Sequence, residues 1–213
     1  MSGPGPRSAP DAFHEVRAHA PDLAEVLSQV YKLALFEGPQ LPHRPAPGAR
    51  AIRWALDLRL PLSHAEFLRP IATEMIKDLT DAGIVQVAGY GYGAYSLTGA
   101  ITALGPGFTG ALVRESAKPY GFRRVIEGDL QRHKRVIVID DLLINGRSAL
   151  LAADALRNEG FLVTGVFTIF RLAGCRGRRA LRQAGLGHRC LATLCRIPTE
   201  QQRQGTEALT DGA

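Results

Sequence analysis

Two adjacent carboxylates, Asp140 and Asp141, are the residues of this chain with the clearest chemical use. They follow a run of four β-branched apolar residues, Val136 to Ile139, and precede a turn at Gly146 and a helical run from Ser148. An apolar run of this kind predicts a strand buried on both faces of a parallel sheet. Ligands of such sheets bind beyond the carboxyl ends of the strands, so we expect the acidic pair at a ligand site.

The turn after the acidic pair has the complementary chemistry. Its backbone amides, with those of the helix start, would face outward and form an anion site. Carboxylates beside such a site predict a sugar phosphate as the ligand, with the acids on the sugar hydroxyls and the amides on the phosphate. A plainer interpretation makes Asp140 and Asp141 a helix cap and a surface charge. The order of strand, acids and glycine turn favours the ligand site.

The composition is typical of a folded protein with small anionic ligands. The chain has 213 residues, of which 46% are hydrophobic and 22% charged, with a formal net charge of +6. This length accommodates one α/β domain with an N-terminal addition. The densest basic cluster has no aromatic platform, which favours a solvated helix face and no nucleic-acid partner. That cluster consists of Arg176, Arg178, Arg179 and Arg182.

The cysteines and the hydropathy pattern predict a cytoplasmic protein with no membrane partner. Cys175, Cys190 and Cys195 form no CxxC motif, which is typical of reduced thiols. No signal sequence opens the chain, and no apolar run reaches membrane-spanning length. Residues 1–20 and 201–213 are expected to be a disordered tail and a frayed tail.

Residues 21–200 are predicted to form a single domain, with a hood at about 21–62 and a core at about 63–197. Helical spacing of apolar residues predicts a helix over residues 21–36, and period-two alternation predicts a strand over residues 51–60. Ser63 and Glu66 form a capping-box pattern for a helix that ends near Gly83.

Beyond residue 83, strands and helices alternate, which predicts right-handed crossovers and a sheet covered on both faces. The predicted strands are at residues 84–88, 110–114, 135–139, 161–170 and 190–194. The predicted helices are at residues 95–104, 147–159 and 178–184. A glycine-rich loop, Gly89 to Gly93, follows the first of these strands, and residues 115–131 are predicted to be irregular.

With these features, the chain resembles the type I phosphoribosyltransferases, and among them orotate phosphoribosyltransferase, from about Leu35 to Leu194. The segment around Asp140-Asp141 is similar to the family's signature for phosphoribosyl pyrophosphate (PRPP). The stretch Arg114-Glu-Ser-Ala-Lys-Pro-Tyr-Gly121, with Ile126-Glu-Gly128, resembles the mobile catalytic loop, and Leu56-Asp-Leu-Arg-Leu60 resembles the hood strand. The resemblance implies an α/β fold in which helices flank a mostly parallel twisted sheet with a small N-terminal hood.

The resemblance also implies roles for the residues around PRPP. Asp140 and Asp141 would hold the ribose hydroxyls, directly or through Mg²⁺, and would stabilise positive charge at the ribosyl carbon. The residues that would wrap the 5-phosphate are Ile144, Asn145, Gly146, Arg147 and Ser148. The residues that would bring backbone amides to the pyrophosphate are Gly89, Tyr90, Gly91, Tyr92 and Gly93.

Arg114 and Lys118 would neutralise the departing pyrophosphate, usually from the neighbouring subunit of a homodimer. The mobile loop, residues 115–128, would close over the substrate. Its further site residues would be Tyr120, Gly121, Glu127 and Gly128. The implied activity is transfer of the 5-phosphoribosyl group from PRPP to a nitrogen nucleophile, on an orotate-like ring or another small acceptor, with release of pyrophosphate.

Several positions depart from the family pattern and keep two alternatives open. The departures are Ile144 for Thr or Ser, Gly93 and Glu115 for Lys, Tyr120 for His, Arg147 for a small or hydroxylic residue, and the missing Lys-Ser-Gly near Leu41–Pro45. A glutamate near pyrophosphate opposes its charge, whereas the guanidinium of Arg147 would bind phosphate. The alternatives are a non-catalytic PRPP- or nucleotide-binding regulatory protein and an enzyme that acts on a preformed nucleotide.

Overall fold

The computed structural model describes residues 13–16, 21–37, 54–114 and 124–194, and the statements below concern these residues. The helices are α1 (Pro21–Ala34), α2 (Arg59–Leu62), α3 (Ala65–Asp81), α4 (Tyr92–Leu104), α5 (Arg147–Asn158) and α6 (Gly177–Gln183). The strands are β1 (Phe13–Val16), β2 (Leu35–Glu37), β3 (Trp54–Leu56), β4 (Gln86–Tyr90), β5 (Thr109–Val113), β6 (Ile126–Gly128), β7 (Arg135–Leu143), β8 (Leu162–Leu172) and β9 (Gly187–Leu194).

Among the described strands, seven form one sheet in the order β1-β9-β8-β7-β4-β5-β6. The strands from β9 to β5 run parallel, and β1 and β6 pair antiparallel at the two edges. Helices α4, α5 and α6 connect successive parallel strands, as expected for βαβ units. The prediction of a mostly parallel sheet flanked by helices is confirmed.

The core lies on both faces of this sheet because the central strands carry apolar side chains on both sides. On one face, Ile139 and Phe167 pack in a buried cluster with side chains of helices α1 to α4. On the other face, Val136 and Val138 pack with side chains of helix α5, among them Leu156. Strand β7 is therefore held firmly up to the acidic pair at its carboxyl end.

The hood is a two-stranded antiparallel sheet of β2 and β3, followed by the short helix α2. The strand predicted over residues 51–60 is wrong in its second half, because Arg59 begins a helix. The reason is the spacing of Leu58 and Leu62, which are both buried and are joined by a helical hydrogen bond from Leu62 N to Leu58 O of 3.0 Å. Residues 51–53 lie outside the described residues.

Helix α3 begins without the predicted capping box. The Ser63 hydroxyl donates to the carbonyl of Leu60 at 2.7 Å, at the end of α2, and the N-cap position of α3 is His64. Because α2 directly precedes α3, its last carbonyls compete for this hydroxyl. The predicted end is confirmed, since the helix stops at Asp81 and Gly83 adopts a left-handed φ of 65°.

Three further boundaries differ from the prediction for reasons of strand pairing. Phe13–Val16, predicted to be disordered, pairs with β9, and Ile126–Gly128, predicted to be irregular, pairs with β5. Strand β7 continues through the acidic pair to Leu143, alongside β8. These strands depend on partners distant in sequence, which local composition does not reveal. The rest of residues 1–20 and all of residues 201–213 lie outside the described residues.

Within the part of the chain described here, no helix combines the length and the apolar character that crossing a membrane requires.

Candidate active site

The acidic pair and the glycine-rich segment meet where the pairing between β7 and β4 ends. The two strands are parallel neighbours, with Gly89 opposite Ile139. Beyond this point, Gly93 lies directly against the Asp141 carboxyl, so a Cβ at Gly93 would overlap Asp141 Oδ2 and lie 2.7 Å from its Cγ. The site therefore has no room for the family's lysine at Gly93 unless Asp141 moves.

Asp140 is buried, with 6% of its surface exposed, at the α5 side of β7. The Ser148 hydroxyl donates to Asp140 Oδ2 at 2.6 Å, and the Asp141 amide donates to Asp140 Oδ1 at 3.0 Å. The prediction assigned this hydroxyl to the 5-phosphate. In the structure it instead supports the carboxylate that would hold the sugar.

Both carboxyls of the pair hold their protons more tightly than usual. Burial and the charge of Asp141 raise the pKa of Asp140 to about 7, against the hydrogen bond from Ser148, which lowers it. Burial also raises the pKa of Asp141. A cation bound by the pair would oppose both shifts, because a cation favours the ionised form of a carboxyl. Such shifted acids in a cleft are typical of functional sites.

The turn after β7 leads directly into helix α5 and has the left-handed glycine that the sequence predicts there. Gly146 adopts a left-handed φ of 78° and caps helix α5, and the Arg147 amide donates to Asn145 Oδ1 at 2.9 Å. Ile144 is 40% exposed on this turn. The structure therefore brings residues 144–148 together at the start of a helix, where backbone amides favour an anion.

Gly177 is a site residue that the sequence did not reveal. Its amide donates to the carbonyl of Ile144 at 2.9 Å, and a Cβ on Gly146 would lie 3.3 Å from Gly177 Cα. A side chain at either glycine would separate the turn from the start of α6. The available signal was a glycine within a basic helical segment, which by itself does not specify a backbone contact.

The predicted pyrophosphate loop is a strand end and a helix start rather than a loop. Gly89 and Tyr90 belong to β4, Gly91 has a left-handed φ of 80°, and Tyr92 and Gly93 form the first turn of α4. A Cβ at Gly89 would lie 2.8 Å from the Ala94 carbonyl oxygen, so this position must be small for α4 to pack on β4. The start of α4 is a second helix N-terminus that faces the acidic pair.

The residues predicted for the mobile loop divide into three groups. Arg114 directly follows β5, and its amide donates to the carbonyl of Val125 at 2.8 Å. Glu127 and Gly128 lie in β6 at the sheet edge, which corrects their assignment to the mobile loop. Lys118 and its neighbours in residues 115–123, including Glu115, Tyr120 and Gly121, lie outside the described residues.

Asp57 and Arg59 also face this site, although no pattern in the sequence assigns them a role. They form a two-bond ion pair, with Arg59 Nε to Asp57 Oδ1 at 2.7 Å and Arg59 Nη2 to Asp57 Oδ2 at 2.7 Å. The charge of Asp57 contributes, after burial, to the raised pKa of Asp141. The hood thus places an ion pair within electrostatic range of the acidic pair.

Comparison with known proteins relates this arrangement to one class of enzyme. No family model matches the chain. A solved structure of Mycobacterium tuberculosis orotate phosphoribosyltransferase in complex with PRPP is 27% identical, with a TM-score of 0.66, and the match covers 86% of this chain and 97% of that one. The fold, with twin carboxylates ahead of a glycine turn, is that of the type I phosphoribosyltransferases.

Two sequence relatives show to which family within this class the chain belongs. Orotate phosphoribosyltransferase of Porphyromonas gingivalis is 33% identical over 116 residues, and the match spans only 55% of that protein. Orotate phosphoribosyltransferase of Mycobacterium avium is 31% identical over 176 residues, which cover 82% of this chain and 95% of the relative. The chain belongs to the orotate phosphoribosyltransferase family.

Proposed function

We propose that the protein transfers the 5-phosphoribosyl group of PRPP to a nitrogen nucleophile on a small acceptor and releases pyrophosphate. The observation that carries this proposal is the position of the pair Asp140-Asp141, of which Asp140 is buried, between two helix N-termini, those of α4 and α5. PRPP has a phosphate at one end, a diol in the middle and a diphosphate at the other end. The protein presents an anion site, then the two carboxylates, then a second anion site. This order matches the order of phosphate, diol and diphosphate in PRPP.

In the reaction, the acceptor nitrogen forms a bond to the ribosyl carbon as the bond from that carbon to the pyrophosphate oxygen breaks. Pyrophosphate leaves with the electron pair of the broken bond, and the acceptor nitrogen loses a proton to solvent. The ionised carboxylates of Asp140 and Asp141 accept hydrogen bonds from the sugar hydroxyls and stabilise the positive charge that grows at the ribosyl carbon. The Ser148 hydroxyl orients Asp140 for this contact.

The donor set fits Mg²⁺, which prefers carboxylate oxygens together with substrate phosphates. When bound, the ion would neutralise charge on the departing pyrophosphate. Asp140 and Asp141 would hold it, directly or through the sugar hydroxyls. The described residues contain no cluster of three or more potential metal ligands.

Pyrophosphate release is the direct test of the proposal. The full chain is mixed with PRPP, Mg²⁺ and one acceptor at a time, from orotate, other nitrogen rings and simple amines. We expect steady release with at least one acceptor, and a loss of at least about 100-fold in Asp141→Asn, because charge stabilisation in the transition state is removed. Asp154→Asn, an exposed aspartate on α5, is the matched control and should keep full activity.

A second candidate function is a regulatory protein that binds PRPP or a nucleotide without turnover. The exposed apolar side chain of Ile144 on the phosphate turn, and the engagement of the Ser148 hydroxyl by Asp140, favour it. Tight PRPP binding by calorimetry with no pyrophosphate release from any acceptor would support this candidate. Action on a preformed nucleotide is tested in the same way, by following release of the free base.

We further propose a cytoplasmic homodimer in which residues 115–123 of one subunit, including Lys118, complete the site of the other. This proposal rests on the family. Lys118→Ala and Asp141→Asn should each be inactive alone, whereas a mixture that has exchanged subunits should recover about a quarter of the activity. A mixture that stays inactive after exchange would mean that each subunit uses its own Lys118.

A further inference from the structure

The hood presents one arginine at the rim of the active site in a fixed orientation. Arg59 begins α2, and its guanidinium is held by the two bonds to Asp57 described above. The Arg59 amide also donates to Asp57 Oδ1 at 3.1 Å. Two parallel charge-assisted hydrogen bonds fix the plane of a guanidinium, so the direction of its remaining hydrogens is fixed too.

Packing of the hood places this guanidinium near the acidic pair. Helix α2 packs against α4, and Leu58 and Leu62 anchor it with 1% of their surface exposed. The first turn of α4 in turn contacts the Asp141 carboxyl at Gly93. The proximity is reflected electrostatically, because Asp57 and, more weakly, Asp141 raise the pKa of Arg59.

The bonds to Asp57 use only one edge of the guanidinium. They engage Nε and Nη2, which leaves the end of the group, with one hydrogen on each terminal nitrogen, directed away from Asp57. The Arg59 side chain is 62% exposed, so this end is open to solvent. A guanidinium end of this kind matches a carboxylate or a phosphate, with two hydrogen bonds.

We propose that the free end of Arg59 binds an anionic oxygen group of the substrate, and that Asp57 is the positioning residue that orients it. The inference rests on the proposed function. The anionic group belongs either to the acceptor, as a ring carboxylate, or to the pyrophosphate of PRPP. In both cases Arg59 supplies positive charge on the side of the site where Gly93 stands in place of the family's lysine.

The test compares Arg59→Gln with Arg59→Lys, Asp57→Asn and the control Lys134→Gln. Lys134 is an exposed cation before β7, about 23 Å along the strand from Asp141. Calorimetry with pyrophosphate, PRPP, orotate and uracil is combined with KM and kcat for each substrate. Uracil has the orotate ring without the carboxylate, so it separates recognition of the carboxylate from recognition of the ring.

Arg59→Gln should weaken the binding of one anionic group at least about tenfold, with a smaller change in kcat than in KM. Loss for orotate but not for uracil assigns Arg59 to the acceptor, and loss for pyrophosphate and PRPP assigns it to the donor. Arg59→Lys should recover part of the affinity, and Asp57→Asn should lose part of it. Lys134→Gln should bind as the wild type does.

The proposal would be overturned if the wild type binds these anions and Arg59→Gln binds each of them with the same affinity. This is also the outcome expected if the ion pair only stabilises the hood, in which case the urea midpoint alone would fall slightly. Anion binding that depends on Arg59 in a protein without turnover would remove the proposed transferase activity and keep the role of Arg59. A wild-type protein that binds none of these anions would overturn both.

Discussion

Asp78 and Asp140 are equally buried, each with 6% of its surface exposed, yet they lie on opposite faces of the sheet in opposite electrostatic settings. Asp78, on α3, receives a hydrogen bond of 2.6 Å from Arg189 Nη2 of β9. This ion pair lines a cavity of about 220 Å³ between α3 and the amino-terminal halves of β8 and β9. Asp140, on β7, instead faces a second carboxylate, that of Asp141.

The difference separates a structural charge from a functional one. A buried carboxylate that is paired with an arginine has little charge left to attract a ligand. Removing either member of the pair leaves the other charge buried without a counterion. A buried carboxylate beside another carboxylate costs folding free energy, and it gains a compensating cation only when a ligand arrives. Equal burial therefore predicts opposite effects of mutation at the two positions.

The largest effect should come from breaking the Asp78 ion pair. Arg189→Met leaves a buried carboxylate without its cation, so the free energy of unfolding should fall by about 3–5 kcal/mol, measured by urea denaturation at pH 7. The double variant Asp78→Leu/Arg189→Met should recover most of this loss, because no charge then remains unpaired. A loss below about 1 kcal/mol in Arg189→Met would show that the pair is not structural.

At Asp140, in contrast, a neutral substitution is expected to raise the free energy of unfolding. The pKa of this carboxyl rises from 3.8 to about 7 in the folded state, so its favourable contribution is present below pH 3.8 and is lost as the pH rises to about 7. Asp140→Asn removes this cost and should raise the free energy of unfolding by about 2–4 kcal/mol at pH 8. In urea denaturation at pH 4 the variant and the wild type should differ little. If the variant were less stable than the wild type at pH 8, the predicted free-energy cost of the ionised Asp140 carboxylate would be contradicted.

A smaller effect should follow from crowding Asp141. Gly93→Ala places a methyl group where Asp141 Oδ2 lies, so the carboxyl must move, and kcat/KM for PRPP should fall about tenfold. Gly99→Ala is the matched control on the same helix, with nothing within 4 Å of the added carbon. It should leave kcat/KM unchanged and stabilise the fold by about 0.5–1 kcal/mol. Equal activity of the two variants would show that the position of Asp141 is not critical.

The smallest effect concerns His188, which lines the same cavity as Asp78. Burial, with the charges of Arg171 and Arg178, lowers the pKa of His188 to about 4. A lowered histidine pKa contributes stability that is present above pH 6.5 and is lost as the pH falls towards 4. In His188→Gln the loss of unfolding free energy at acid pH should be about 1 kcal/mol smaller than in the wild type. The difference is modest because solvent screens the partly exposed imidazole. Urea midpoints at pH 5 and pH 7.5 would check it.

The sequence was most informative where a local pattern and a burial pattern coincide. The run from Val136 to Ile139 predicts a buried strand because its β-branched side chains suit both faces of a parallel sheet, and the glycine turn predicts the start of α5. Family resemblance then assigned Asp140 and Asp141 to the sugar. For these residues, the residue types and their spacing were enough to indicate the chemistry, and both are visible in a single sequence.

Features that depend on a distant partner were not predictable in this way. Asp57 and Arg59 were predicted to lie in the hood strand, with no role in the site, and it is the packing of α2 on α4 that brings them near Asp141. The contact between Gly146 and Gly177 joins residues that are 31 positions apart in the sequence. The hydroxyl of Ser63 was assigned to the wrong helix because the adjoining α2 was not expected. Long-range packing, rather than local propensity, decided each of these cases.

The hydrogen bond from the Arg114 amide to the Val125 carbonyl, 2.8 Å long, has a consequence for engineering. It joins Arg114 to Val125 beside the paired strands β5 and β6, so the number of residues between these two positions contributes little to the geometry of β5 and β6. Changing the length of such a closed segment costs only fractions of a kcal/mol to about 1 kcal/mol. Residues 115–123 can therefore be exchanged as a cassette for the corresponding stretch of a relative, with the rest of the enzyme left intact.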